Sequence, residues 1–197
     1  MKTVKIIATI ILALSIFPLT GKAQETLQLD KAESQLTITG TSTLHDWEIV
    51  VNDFSGTVDG NFAETPPAIT SSAFTCSVSS MESGKNSMDD VVYETLEEEN
   101  YPEISFIYKN TERMQETDQG YLITVSGDMT IAGQTREIQL TLQGNIREGQ
   151  LALEGSKSFK MSSFDVEPPS VMFGTIKAGD KITVQYSFTY NQNITAL

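Results

Sequence analysis

Apolar and polar side chains alternate with a period of two along most of the chain between residues 27 and 190. The longest case is Ile182-Thr183-Val184-Gln185-Tyr186-Ser187-Phe188-Thr189-Tyr190, where every second residue is large and apolar or aromatic. A strand sends successive side chains to opposite faces, so this segment has one dry face and one wet face. Leu36–Thr39, Trp47–Val51, Tyr121–Val125 and Ile138–Gln143 follow the same rule. One-faced strands in series predict an antiparallel sheet. Turn-forming residues separate the runs at Asp59-Gly60, Asp118-Gln119-Gly120, Ala132-Gly133-Gln134, Glu148-Gly149 and Ala178-Gly179-Asp180. Read as short hairpin loops, they predict a meander of about eight to ten strands.

One segment departs from this period. From Ser87 to Asn100 the apolar residues Met88, Val91, Val92 and Leu96 fall at helical spacing. The spacing predicts a helix over 87–100, with Asn86 or Ser87 as N-cap and Asp89 and Asp90 in its first turn. Tyr101-Pro102 ends it. Glu97-Glu98-Glu99 would oppose the helix dipole at the C-terminus, a small cost with no local reason in the sequence.

The first residues carry a different signal. Lys2 and Lys5 precede an uncharged, mainly apolar run from Ile6 to Phe17, and Gly21-Lys22-Ala23 places small residues where a signal peptidase reads them. Residues 1–23 are therefore expected to be a secretory signal peptide cleaved before Gln24; an uncleaved anchor is the alternative. The run is short for a bilayer-spanning helix, and no second apolar stretch approaches spanning length, so no integral membrane segment is expected in the mature chain. The mature chain, 24–197, reads as one domain of an exported protein, periplasmic or secreted from a bacterium. Removing Lys2, Lys5 and Lys22 and no acid moves the formal charge from −13 to −16. Nucleic acid needs a cationic footprint and is not an expected partner. Asn193-Ile194-Thr195 matches a glycosylation motif, read here as chance.

Catalytic chemistry finds few residues to use. His45 is the lone histidine and Cys76 the lone cysteine. No disulfide can form within the chain, and a zinc site of His and Cys would have only these two. Cys76 sits in the alternating segment Phe74-Thr75-Cys76-Ser77-Val78 and reads as a small buried hydrophobe. His45 and Asp46 are adjacent, so on an extended strand they would point apart and could not share a site. Acids are plentiful, 26 in all, but no calcium-loop motif organises them. What remains is apolar surface, which could close as a packed sandwich or as a barrel with an interior space; pattern alone leaves both open.

Five stretches, in order, then resemble one family. They are Leu29–Ser34 with Gly40–Trp47; Phe54-Ser55-Gly56-Thr57-Val58; Ser83–Asp89 followed by Tyr101-Pro102-Glu103-Ile104-Ser105-Phe106; Val125–Arg136; and Pro168–Met172 with Ile176–Ile182. Together they are similar to the YceI-like family of exported, lipocalin-like, polyisoprenoid-binding proteins, over roughly Leu27 to Tyr190. The resemblance implies an all-β fold, an antiparallel barrel of about eight strands with one short helix beside it. It also implies an elongated cavity for an isoprenoid chain, such as a quinone or a polyprenyl carrier lipid, with no cofactor otherwise and no catalytic residues. The residues expected to line such a cavity are Ile38, Trp47, Phe74, Met88, Val92, Leu96, Phe106, Val125, Leu140, Met172, Val184 and Phe188. A charged head group would seek Lys85, Lys157, Lys160 or Lys177, whereas the net charge of −16 favours a neutral head such as a quinone. The partners expected are thus an apolar lipid and, left open, a second copy in a homodimer. Two rival classes remain: a filled barrel acting as a structural or protein-interaction module, and an enzyme with polar groups gathered around His45.

Overall fold

A computed structural model of the protein describes residues 24–192 except residue 148. The expected signal peptide and the Asn193-Ile194-Thr195 motif lie outside the described residues. The elements are β1 (Glu25–Leu29), β2 (Gln35–Ser42), β3 (Trp47–Val51), β4 (Phe54–Asn61), β5 (Ala68–Ser77), β6 (Met81–Glu82), α1 (Asn86–Thr95), β7 (Glu103–Thr117), β8 (Gly120–Ile131), β9 (Gln134–Arg147), β10 (Gln150–Lys160), β11 (Ser170–Val171) and β12 (Ile176–Gln192). All pairings are antiparallel.

The strands close into a barrel of eight staves. Three staves are broken strands: β1 and β2 both lie along one edge of β12, with Leu27 opposite Gln192 and Gln35 opposite Ser187. β4 and β3 lie along β1 and β2, and β5 and β6 continue the ring beside them. β7, β8, β9, β10 and β12 complete it, so every stave neighbours its successor in sequence and the last returns to the first. Helix α1 sits at the end where β6 leaves off and β7 begins. Among the described residues, no helix is long and apolar enough to cross a membrane.

Four expectations need correction. Asp59-Gly60 is not a turn but lies within β4. Hydrogen bonds from the Ser71 and Thr26 hydroxyls tie the Asp59 carboxyl across the sheet and hold it below the usual carboxylate range; the chain reverses only after Asn61. Ala178-Gly179-Asp180 is a bulge inside β12, where the register jumps between Ala178–Ser42 and Ile182–Gly40. The reversal before β12 occurs at Met172–Thr175 instead, with Met172 and Phe173 at φ of 54° and 55° and Gly174 at 86°. Two successive bulky residues in the left-handed region cost about 1–2 kcal/mol each.

The helix is also shorter than 87–100. It ends at Thr95, Leu96 is its C-cap, and Glu97 turns left-handed at φ 53°. The Glu98 N–H donates to the Tyr93 carbonyl (2.9 Å) and the Glu97 N–H to that of Glu94 (3.1 Å), a Schellman closure. The acidic run thus lies past the helix and not in its last turn. At the other end Lys85 is the N-cap, without a side-chain bond. Buried Asp89 instead accepts from the Ser83 N–H (2.7 Å) and hydroxyl (2.6 Å), fastening the helix start to the loop before it.

The barrel is packed at one end and parted at the other. Leu27, Ile123 and Leu151 fill the end opposite the helix and are almost wholly buried. β9 and β10 pair only from Arg147–Gln150 to Leu142–Gly155. Beyond that point β9 continues along β8 to Gln134, and β10 continues along β12 to Lys160. A short 3-10 turn, Met161–Phe164, lies across this seam and buries Phe164 and Val166 with Ile131, against Ile138 of β9 and Phe159 of β10. The Phe164 and Phe159 rings meet edge to face at 5.4 Å. Asp165 pairs with Arg136 (2.9 Å), and the Ser162 N–H and hydroxyl donate to Asp180 (2.9 and 2.7 Å).

Candidate functional site

Above the packed end the barrel is hollow. The inner faces of the staves and the helix enclose a cavity of about 610 Å³, within the range of pockets that take a drug-sized ligand. Inward positions follow strand parity: Ile182, Val184, Tyr186, Phe188 and Tyr190 of β12 all face this space. Phe188 lies at the centre of an aromatic cluster, stacked on Phe74 at 5.2 Å and Tyr186 at 5.6 Å, with Tyr190 edge-on at 6.4 Å. Burial pushes the Tyr186 phenol up to about 12 and raises Tyr190 further, so both are neutral walls at any physiological pH.

Two aromatic rings reach the cavity because the residue facing them is glycine. A Cβ on Gly40 would stand 2.2 Å from the Trp47 ring, and one on Gly127 would stand 2.4 Å from the Phe106 ring. Trp47 lies over the bare backbone and donates its indole N–H to the Thr41 carbonyl (2.9 Å). The ring's polar edge is satisfied while its body remains apolar wall.

The twelve residues singled out from the sequence all border this space. Val184 and Phe188 come from β12, Ile38 from β2, Trp47 from β3, Phe74 from β5, Phe106 from β7, Val125 from β8 and Leu140 from β9. Met88, Val92 and Leu96 present one helical face, and Met172 comes from the hairpin before β12. The helix is held there by the same face, which packs on Leu36, Ile49 and Met81, and by the Tyr93 hydroxyl donating to the Ser79 and Met81 carbonyls (3.1 Å each).

The seam residues Met161, Phe164 and Val166 also border the cavity, from outside any regular strand, and are not among the twelve expected from the sequence. In the sequence Lys157 is one of four lysines that a charged head group would seek. Parity along β10 gives more: Leu151, Leu153, Gly155, Lys157 and Phe159 alternate inward, so Lys157 stands on the inner face. Lys85 and Lys157 border the cavity and Lys160 and Lys177 do not; no Asp or Glu borders it. Among the described residues neither Lys85 nor Lys157 has an ion-pair partner. The acidity of the whole chain therefore does not extend into its interior.

The remaining reactive groups are arranged as follows. Cys76 is buried, and desolvation pushes its thiol up to about 12, which leaves it protonated and inert. His45 is exposed at the cavity mouth, on a loop rather than an extended strand, and its Nδ1 lies 2.7 Å from the main-chain oxygen of Asp46. The adjacent Asp46 thus meets the ring through its backbone and not its carboxylate.

A model of the YceI-like domain matches residues 27–190. Among solved structures, BcnA from Burkholderia cenocepacia superposes with a TM-score of 0.67 at 18% identity, covering 82% of this chain and 98% of that one. A polyisoprenoid binding domain from Saccharophagus degradans, implicated in plant cell wall breakdown, superposes at 0.63 with 13% identity, covering 84% and 98%. The YCEI protein of Campylobacter jejuni superposes at 0.61 with 17% identity, covering 73% and 83%. At these identities the structural likeness establishes the fold. No curated protein matches the chain.

Proposed function

The chain belongs to the YceI-like family, and from that premise we propose that it is an exported, non-enzymatic carrier that holds one long isoprenoid-type lipid inside its barrel. The observation that carries this reading is the 610 Å³ cavity with its apolar wall. A filled interior would have favoured a purely structural or protein-interaction module. Burial of apolar chain is worth roughly 25 cal/mol per Å², so a preformed dry chamber can hold a tail without polar contacts. The direct test is native mass spectrometry of the protein purified from its source, followed by organic extraction. A stoichiometric lipid is the expected result, and an empty barrel saturable by no prenyl lipid would end the proposal.

Lys157, on the inner face, and Lys85, exposed at the cavity's border, bear on the head group. Lys157 is half-buried and has no carboxylate partner among the described residues. A negatively charged head, such as a prenyl phosphate, can form a charge-assisted pair with it; a neutral quinone can only accept a hydrogen bond. This reverses the preference drawn from the net charge. A hydrogen bond to a charged group is worth about 1.5–3 kcal/mol, or about tenfold or more in affinity. Lys157→Met is therefore expected to weaken a prenyl phosphate by at least that factor and to leave a quinone of equal chain length nearly unchanged. Titration of both ligands against both proteins reads the difference; equal losses would remove Lys157 from head-group recognition.

The helix is proposed as a wall that can yield. A ten-residue helix is marginal in water by itself, so its order depends on the face carrying Met88, Val92 and Leu96. Val92→Asp places a charge in that dry face, at a cost of several kcal/mol unless the group turns out. The expected outcome is loss of bound lipid with a smaller loss of thermal stability than Val184→Asp, which strikes a central strand. Full lipid occupancy in folded Val92→Asp would exclude the helix from the ligand site.

A further inference from the structure

Three of the large apolar side chains exposed on this protein gather at the cavity mouth. Phe173 is fully exposed, Met172 is 70% exposed and Leu44 is 66% exposed. They stand on two loops that are tied together. The Thr43 N–H donates to the Lys177 carbonyl (3.0 Å), the Thr43 hydroxyl to the Thr175 carbonyl (3.2 Å), and the Lys177 N–H returns to the Thr43 hydroxyl (3.2 Å). Leu44 and Met172 border the cavity, so the exposed patch is continuous with its apolar lining. Met172 and Phe173 are held left-handed in succession, a conformation that glycine or asparagine would hold more cheaply. Bulky apolar residues displayed outward at a conformational cost point to a function outside the fold.

The apolar tip selects a lipid surface, and its lysines bear on the sign of that surface's charge. Residues 168–179, between Glu167 and Asp180, carry Lys177 and no acid, and the Leu44 loop carries His45 and Asp46, in a chain with 26 acids. Lys85 and Lys157, the charged residues that border the cavity, are both cationic. Exposed apolar side chains beside lysines suit a surface that is apolar beneath an anionic layer. We propose that the mouth formed by Leu44, Met172, Phe173 and Lys177 docks on an anionic lipid bilayer, with the hairpin tip entering the headgroup boundary and the cavity opening toward the membrane. This inference rests on the lipid-carrying reading for its purpose, since a cavity facing the bilayer can exchange cargo without exposing a tail to water. Its test is independent of any cargo.

The experiment is flotation of the mature protein with vesicles of phosphatidylethanolamine and phosphatidylglycerol, compared with phosphatidylcholine alone. Wild-type protein is expected to float with the anionic vesicles and to do so less in high salt, which screens the lysines. Phe173→Asn, which suits the left-handed backbone and removes the ring, is expected to lower vesicle affinity about tenfold. Phe173 does not border the cavity, so lipid occupancy and circular dichroism should match wild type. Ile107→Ser removes an apolar residue that is 50% exposed on the outer wall and should float as wild type does. The proposal is overturned if wild type fails to float, if Phe173→Asn floats equally well, or if Ile107→Ser loses as much. It is equally overturned if sedimentation shows a dimer that Phe173→Asn converts to monomer while vesicles bind neither, which would assign the patch to a second copy. Vesicle binding by a protein that yields no extractable lipid would keep the docking surface and discard the carrier function.

Discussion

A tryptophan in place of Val184 is expected to leave the barrel folded and to displace the proposed lipid. Val184 lies midway along β12, opposite Ile38 on one side and Lys157 on the other, and its side chain faces the cavity. In a solid core this enlargement would force neighbours off their rotamers at about 1–3 kcal/mol. Here the added ring enters existing space, so unfolding stability should change by less than that, or rise as the ring gains contacts. The same volume is then denied to a lipid tail. Occupancy should fall from stoichiometric to background by native mass spectrometry, with the urea midpoint preserved. A destabilised variant with undiminished lipid occupancy would mean that the cavity is not the proposed ligand site.

The second large effect concerns the seam. Phe164 is 2% exposed and sits between Ile138 and Phe159, on the two strands that part company above Leu142 and Gly155. Truncating a buried phenylalanine costs about 3–5 kcal/mol. For a domain of this size that is a fall in Tm of roughly 6–20 °C. Arg136→Gln, which breaks the neighbouring exposed pair with Asp165, should cost no more than about 1 kcal/mol. Thermal scans of both variants test the contrast. If Phe164→Ala cost as little as Arg136→Gln, the 3-10 turn would be an ornament and the wall would be sealed by other means.

Much of this architecture was legible because parity is rigid. Once a strand is recognised, its inward residues follow at every second position, and this is why Ile38, Val184 and Phe188 fall on one surface despite their distance in sequence. Turn chemistry was less informative. Asp59-Gly60 and Ala178-Gly179-Asp180 have the composition of turns, yet each lies inside a strand, where Ser71 and Thr26 occupy one carboxylate and Ser162 the other. Met172-Phe173 has the composition of a strand and is the actual reversal. In these cases long-range hydrogen bonds overrode local preference, and such bonds have no signature in a single sequence. The seam was illegible for the same reason: the sequence of Met161–Val166 does not tell which two strands will separate. Lys157 is the opposite case, since its parity was on view and only its neighbours' lack of acids needed the folded chain.

The order of the staves has a kinetic consequence. β7, β8, β9 and β10 follow one another through short connections, so these hairpins can form locally and quickly, while residues 83–102 and 161–175 make longer links. The most distant pairing is the closure of β1 and β2 on β12, where Leu27 meets Gln192 about 165 residues away. That contact carries the largest loop entropy in the molecule and is expected late. Until it forms, the staves make an open, curved sheet with two bare edges and no interior. A ligand that needs a complete wall then has nothing to hold during folding. Its binding energy accrues after the transition state and appears as slower unfolding, with the folding rate unchanged. Cargo would act on this barrel as a latch and not as a template, and a loaded molecule would outlast an empty one without having been made any faster.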